Sequence, residues 1–308
     1  MDGSENDAWP GPGEGNTAGP PVAGRLDHAV AAAAAVSRRE AQRLIEQGAV
    51  RLNGRAVGRS ARVRRVGERD RIEVDPRRGR VVPEPAAQLS VVASGPGWIG
   101  VSKPAGVAVH PRREGEVGTL LNAAVARYPS MQAVGLGPGE GGLRCGVVHR
   151  LDTATSGAML LATEAGCWQR LRQAFARHRI RKTYVAVVEG HPEERGEAEV
   201  WLKVRRHRPA RVGRVAADTP GARRCTLAWR VTQRGASTSR LEIELGTGFL
   251  HQIRATLASM GYPVCGDEVY GAGGAAGPRR RLSLHARLLE YEEIRVEVAV
   301  PADLGAVR

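Results

Sequence analysis

Lysine is almost missing from this chain. Of 46 basic residues only Lys103, Lys182 and Lys203 are lysine, and the rest are arginine. A compositional bias accounts for that preference but not for the excess of positive over negative charge, formally +14 over 308 residues. Such an excess calls for a polyanionic partner. No apolar run reaches the ~20 residues a membrane-spanning helix needs, so an integral membrane protein is not expected. The four cysteines, Cys145, Cys167, Cys225 and Cys265, lie far apart without a C-x-x-C pair. That argues against a zinc site or disulfide framework and for reduced, buried thiols in a cytoplasmic protein. The histidines show no H-E-x-x-H spacing, no Walker-type phosphate loop is present, and the acidic, glycine-rich N-terminus lacks the apolar core of a signal peptide. Metal, cofactor and export are not expected. Nucleic acid is the partner that remains.

The length allows two domains, each large enough to bury a core. Residues 1–21, rich in Gly, Pro, Glu and Asn, cannot bury enough apolar surface and are expected to be disordered. A small module follows over 22–75. Arg25 to Ala35 reads as a helix, and Ser37-Arg-Arg-Glu40 has the form of a capping box. Ala41, Leu44 and Ile45 give the next helix an apolar stripe, and Gly48 is placed to stop it. Val50 to Val57 alternates around Asn53-Gly54, a strong hairpin signal. Val63 to Val66 and Arg71 to Val74 read as further short strands. This order resembles the alpha-L RNA-binding domain first described in a small-subunit ribosomal protein. The resemblance implies that the second helix and the hairpin present basic residues to RNA phosphates, here Arg38, Arg39, Arg43, Arg51 and Arg55. For one such arginine a solvated helix face is the plainer reading. For the cluster, phosphate contact accounts better, because neutralised phosphates release counterions.

Residues 76–88, rich in Pro, Arg and Ala, read as a linker, and 89–303 as the larger domain. Strands are expected at Val91-Val92, Trp98 to Ser102, Tyr184 to Glu189, Glu199 to Val204, Arg224 to Gln233, Ser239 to Leu245 and Ile294 to Val300. Helices are expected at Leu120 to Arg127, Ala165 to Arg179 and Leu250 to Met260, with Gly261 as the cap. Many strands with few regular βαβ units imply an α+β fold with a mixed, largely antiparallel sheet.

Within that domain, Cys145 to Ala162 places Asp152 at a turn between two apolar runs. An isolated aspartate there is usually only a turn-former. This one is not isolated. His149-Arg-Leu-Asp152 followed by Thr155-Ser-Gly157 resembles the signature of the pseudouridine synthases that modify ribosomal and transfer RNA. Further blocks stand in that family's order: Ser102-Lys-Pro-Ala-Gly106, Val109-His-Pro111, Gly118-Thr-Leu-Leu121, Lys182-Thr-Tyr184 running to Gly190, His251-Gln-Ile-Arg254, Gly266-Asp267 before Val269-Tyr-Gly271, and Leu284-His-Ala286.

The resemblance implies that Asp152 is the catalytic carboxylate, that Arg254 orients it and favours its charged form, and that Tyr184 stacks on the target uracil. Without it, Tyr184 would read as a buried strand aromatic and Arg254 as a surface helix residue. The same likeness places Arg150, Leu151, Phe249, His251, Gln252, Ile253 and Lys103 around the substrate, while His149 reads as structural. The chain departs from the family at Gly248-Phe249-Leu250, where Gly-Arg-Thr is usual, and at Ser102 and Thr256. Phe249 offers stacking surface in place of an arginine. Converting uridine to pseudouridine adds nothing and changes no oxidation state, so it needs neither cofactor nor metal. The base must leave its stack to reach a buried carboxylate. The expected partner is RNA, ribosomal before transfer RNA, acted on by a monomer. The rival readings are a noncatalytic RNA-binding or ribosome-assembly factor and a nucleic-acid glycosidase.

Overall fold

Asn53 and Gly54 take φ values of 53° and 76°, the left-handed pair that a two-residue hairpin turn requires and that these residue types tolerate. In the computed structural model, which describes residues 16–17, 23–34, 38–46, 49–74, 80–113, 115–135, 142–207, 209–271, 281–305 and 307, this turn organises the N-terminal unit. Its elements are β1 (Asn16–Thr17), β2 (Gly24–Arg25), α1 (Leu26–Ala33), α2 (Arg38–Glu46), β3 (Val50–Leu52), β4 (Arg55–Ala56), β5 (Arg65–Val66) and β6 (Ile72–Val74). Strands pair in the order β1-β6-β3-β4, and β2 pairs with β5. Leu26, Val30, Leu44, Ile45, Val50, Leu52, Ile72 and Val74 bury a core of their own. The proposed cap at Ser37 and stop at Gly48 lie outside the described residues, as does most of the tail, whose Asn16 and Thr17 pair with Val74 and Glu73. Val63 closes a 3-10 turn that begins at Arg59 rather than starting a strand.

The larger unit contains β7 (Ser90–Gly95), β8 (Trp98–Lys103), α3 (Leu120–Arg127), β9 (Ser156–Ala162), α4 (Ala165–Ala176), β10 (Arg181–Glu189), β11 (Arg195–His207), β12 (Ala210–Val215), β13 (Arg223–Arg234), β14 (Thr238–Leu245), α5 (Gln252–Ser259), β15 (Leu284–Tyr291) and β16 (Ile294–Glu297). These strands form one 10-stranded sheet in the order β12-β11-β13-β14-β10-β15-β9-β8-β7, with β16 beside β15. Every pairing is antiparallel except β9 with β15, which is parallel through His285↔Ser156 and Ala286↔Gly157. The fold is α+β, as the strand-rich pattern implies.

β9 is buried along its whole length, which is why its sequence is a continuous apolar run rather than an alternating one. Its two faces serve different cores. Met159 and Leu161 pack with Leu120, Leu121 and Val125 of α3 and Ile253 and Leu257 of α5. Ala158, Leu160 and Ala162 pack with Leu171 and Ala174 of α4. Thr119 caps α3 in a reciprocal pair with Asn122. Gly157 stands where the parallel strands touch: with φ at 125°, a Cβ there would lie 2.0 Å from the Ala286 carbonyl oxygen.

Two expectations are corrected. Residues 80–88 do not hang as a free linker. Val81 is buried in the main core, exchanging backbone hydrogen bonds with the Gln132 amide, and the Val82 carbonyl accepts from Asn122. An apolar Val-Val step with nearby amide partners outweighs the flanking prolines. The helix expected from Leu250 starts at Gln252, because His251 takes a left-handed φ of 52°.

Candidate active site

Asp152 opens a turn in which the Thr155 amide donates to its carbonyl at 3.1 Å. The loop is held from behind by Lys103. This fully buried side chain donates from Nζ to the carbonyls of Pro104 (2.8 Å), Val107 (2.8 Å) and Thr153 (3.1 Å). Burial pushes the Lys103 pKa down to about 8, with the Asp152 charge opposing.

Opposite, the first turn of α5 presents Arg254. Its Nη1 donates to Asp152 Oδ2 at 3.1 Å, while Nε and Nη2 clamp the two oxygens of Asp267 at 2.7 and 2.8 Å. Asp267 Oδ1 also accepts from the amides of Val269 and Tyr270. Burial opposes the charge on Arg254, but the paired carboxylates more than offset it and raise its pKa. Burial likewise favours neutral Asp267, yet its guanidinium and amide donors hold the pKa below the ordinary carboxylate value. His251 lies with Nε2 3.8 Å from Asp152 Oδ2 and Nδ1 3.0 Å from the Tyr270 hydroxyl, which in turn accepts from the Val212 amide of β12. Burial lowers the His251 pKa, against the pull of Asp152.

Tyr184 on β10 is 8 % exposed. Burial raises its phenol pKa, and the Asp152 charge adds to that, so the hydroxyl keeps its proton. Asp152, Tyr184 and Arg254 share one cleft of about 670 Å³. The arrangement is a carboxylate fixed at one oxygen, with a protonated phenol and a flat apolar wall beside it, in a space sized for a nucleoside.

A sequence model of the RNA pseudouridylate synthase family matches residues 97–259, and one of the S4 domain matches residues 24–70. The chain belongs to the RNA pseudouridylate synthase family. This synthase is 37 % identical over 293 residues to an uncharacterised RNA pseudouridine synthase of Chloroflexus aurantiacus, covering 93 % of this chain and 89 % of the relative. It is 31 % identical to the ribosomal large subunit pseudouridine synthase D of Xylella fastidiosa over 66 % of this chain and 63 % of that one. In fold it is similar to human RNA pseudouridylate synthase domain containing 1, with a TM-score of 0.55, 24 % identity, and coverage of 71 % of this chain and 86 % of that one. The synthase is an isomerase with RNA as its partner. Among the described residues, no helix is long and apolar enough to cross a membrane, and no group of three His, Cys, Asp or Glu could hold a metal ion.

Most residues expected around the substrate do line the cleft of the synthase: Arg150, Leu151, Phe249, His251, Gln252 and Ile253. Their situations differ. Arg150 is exposed at the mouth, and Leu151 and Ile253 are wall residues anchored in the main core. Phe249 packs partly against Val200 and Leu202. The Gln252 amide is committed to protein: Oε1 accepts from Thr247 Oγ1 and the Phe249 amide, and Nε2 donates to the Thr226 carbonyl. Lys103 is the correction. It does not line the cleft, because its ammonium is turned inward onto three carbonyls. His149 is structural, accepting from the Leu160 amide and stacked on Phe175 at 4.4 Å.

In the N-terminal unit, Arg38 donates to buried Asp27 Oδ2 at 3.0 Å together with Gln42 at 2.7 Å, and Arg25 holds the same carboxylate. Arg38 is therefore oriented, yet half-exposed. Arg51 lies on β3 and Arg55 is exposed on β4, and the side chains of Arg39 and Arg43 lie outside the described residues. Sequence reasoning gave no role to Asp267, Tyr270 or Lys182. The signal for the first two was present in Gly266-Asp267 followed by Val269-Tyr270, an acid just before an apolar turn.

Proposed function

We propose that this synthase isomerises specific uridines in structured RNA, with large-subunit ribosomal RNA as the substrate and Asp152 as the catalytic carboxylate. The observation that carries the reading is the asymmetric hold on Asp152. The Arg254 guanidinium and the His251 imidazole both approach Oδ2, while Oδ1 accepts no hydrogen bond among the described residues and is left for the substrate. In the reaction the N1–C1′ bond breaks, the uracil turns, and a C5–C1′ bond forms as the C5 proton is lost and N1 gains one. Arg254 keeps the carboxylate aimed through this sequence, and Tyr184 supplies the face on which the uracil rests. Holding the base out of its stack while it turns requires a closed wall, which Leu151, Ile253 and Tyr184 provide. The name of the Xylella relative supports the large-subunit substrate, as does an S4 domain joined to the catalytic unit.

The test has two arms. Pseudouridine mapping in total RNA with and without the gene names the RNA; sites confined to transfer RNA would overturn the ribosomal reading. Asp152→Asn is then expected to abolish tritium release from RNA labelled at uridine C5 while RNA affinity is unchanged. An Asn variant with wild-type turnover removes Asp152 from the chemistry.

A further inference from the structure

Three cationic side chains are buried among the described residues: Lys103, Lys182 and Arg254. Two are fully accounted for by the protein. Lys103 has three carbonyl acceptors and Arg254 has two carboxylates. Lys182 has neither. It is 6 % exposed, and among the described residues nothing accepts a hydrogen bond from its ammonium and no carboxylate pairs with it. Burial alone lowers its pKa, with no opposing acid. The Lys182 nitrogen is not among the buried atoms left without a partner, so its ammonium meets the cleft rather than the protein interior, and an unpaired cation facing a cleft is placed to receive an anionic group of a ligand.

Its placement says where that anion lies. Lys182 precedes Tyr184 by two residues on β10, so the two side chains leave the same face of the strand, and both line the catalytic cleft. Arg181, on the other face, is taken up by Glu244 and Glu290. A second groove of about 640 Å³ adjoins the first, and Lys182, His178 and Leu245 line both. Lys182 thus stands at the junction between the space for the base and a channel leading away from it. The arginines of that second groove, Arg181 and Arg224, are matched by Glu244 and Glu199. A nucleotide with its uracil on Tyr184 would carry its sugar–phosphate toward this junction.

We propose that Lys182 is an anion-binding residue that pairs with a backbone phosphate flanking the target uridine. It would anchor the strand as it leaves the cleft, and would act in binding and positioning rather than in bond-making. The inference rests on the RNA isomerisation proposed above, but its first test does not use that activity.

With only three lysines in the chain, lysine-selective 15N labelling of the full protein gives three side-chain signals, assigned by Lys→Arg substitution at each. Inorganic phosphate is expected to shift the Lys182 signal saturably and raise its pKa, leaving satisfied Lys103 unmoved. A Lys182 signal that stays still, or moves no more than that of Lys203, overturns the proposal. On the RNA identified by mapping, Lys182→Met is expected to raise KM about tenfold, to leave kcat nearly unchanged, and to reduce the slope of log Kd against log salt by about 0.7–0.9, one phosphate contact. Lys182→Arg should restore both, which excludes a neutral-amine base. A Met variant that loses kcat with an unchanged salt slope would make Lys182 structural or catalytic and refute the phosphate assignment. Absence of any pseudouridine from the wild-type chain would instead refute the isomerase reading, with the phosphate titration unaffected.

Discussion

Arg254 divides its guanidinium between two acids with different tasks. Asp152 takes one donor and remains open to substrate, whereas Asp267 takes two and is closed off by backbone amides. Asp267→Asn keeps the volume but leaves a buried guanidinium short of charge. Breaking such a pair costs about 3–5 kcal/mol, so denaturant unfolding should show a loss of that order, with kcat falling because Arg254 no longer aims Asp152. Unchanged stability would show that the pair is not closed in solution.

Lys103 gives a pH signature of its own. Its folded pKa of about 8 lies below the ordinary lysine value of 10.5, so between those two values the unfolded chain binds more protons. Stability contributed at this site therefore rises with pH through that window and is flat below about 8, by about 3 kcal/mol in total at 1.36 kcal/mol per unit. The stability difference between wild type and Lys103→Met, followed by unfolding from pH 7 to 10.5, should move in favour of wild type. A constant difference would contradict the shift. The motif-borne residues Asp152, Tyr184 and Arg254 could be found in the sequence because each sits in a distinctive string. The placement of Lys103 could not, since its acceptors are backbone carbonyls contributed by residues 104, 107 and 153, and carbonyls carry no residue-type signal.

At the scale of elements, the parallel contact of β9 with β15 depends on Gly157. An alanine there meets the Ala286 backbone at 2.0 Å in a left-handed region unsuited to L side chains. Gly157→Ala should cost about 4 kcal/mol or more, read as a fall in Tm or as insoluble protein. A stable, active variant would show that the strands can separate without loss. Strands with strong apolar or alternating runs, such as β8, β10, β13 and β14, were legible to within a few residues, and α3 was legible over Leu120 to Arg127, although its capping by Thr119 was not foreseen. β12 was not, because Arg211, Gly213 and Arg214 interrupt its pattern. β15 was noted only as a motif, because its Arg287 and Glu290 belong to an ion-pair ladder across the sheet. That ladder runs from Arg230 to Glu242, Arg287, Glu297, Arg295, Glu290, Arg181 and Glu244. Charges facing one another across strands stabilise a sheet that hydrophobic alternation alone does not reveal.

For the whole molecule, the formal charge of +14 makes RNA affinity steeply dependent on salt. Log Kd should rise linearly with log salt concentration, and Arg55→Gln on the exposed hairpin should reduce that slope by about 0.7–0.9 without altering kcat. A slope identical to wild type would place Arg55 away from phosphate. The division into a small basic unit and a larger sheet unit was readable from the order of helix, hairpin and strand patterns along the chain. The attachment of Val81 to Gln132 and of the Val82 carbonyl to Asn122 of α3 was not, because prolines and arginines on either side mask the one buried valine, Val81.

The parallel seam has one more effect. Asp152 enters from the strand side that ends in β9, whereas Tyr184 and Arg254 belong to the side built from β10 onward, and only two residue pairs join β9 to β15. Each side can acquire its own secondary structure while the reacting groups are still apart, so a half-assembled chain is chemically silent. Turnover therefore doubles as a reporter of final assembly, and during refolding it should return only after the circular-dichroism signal of the strands has recovered.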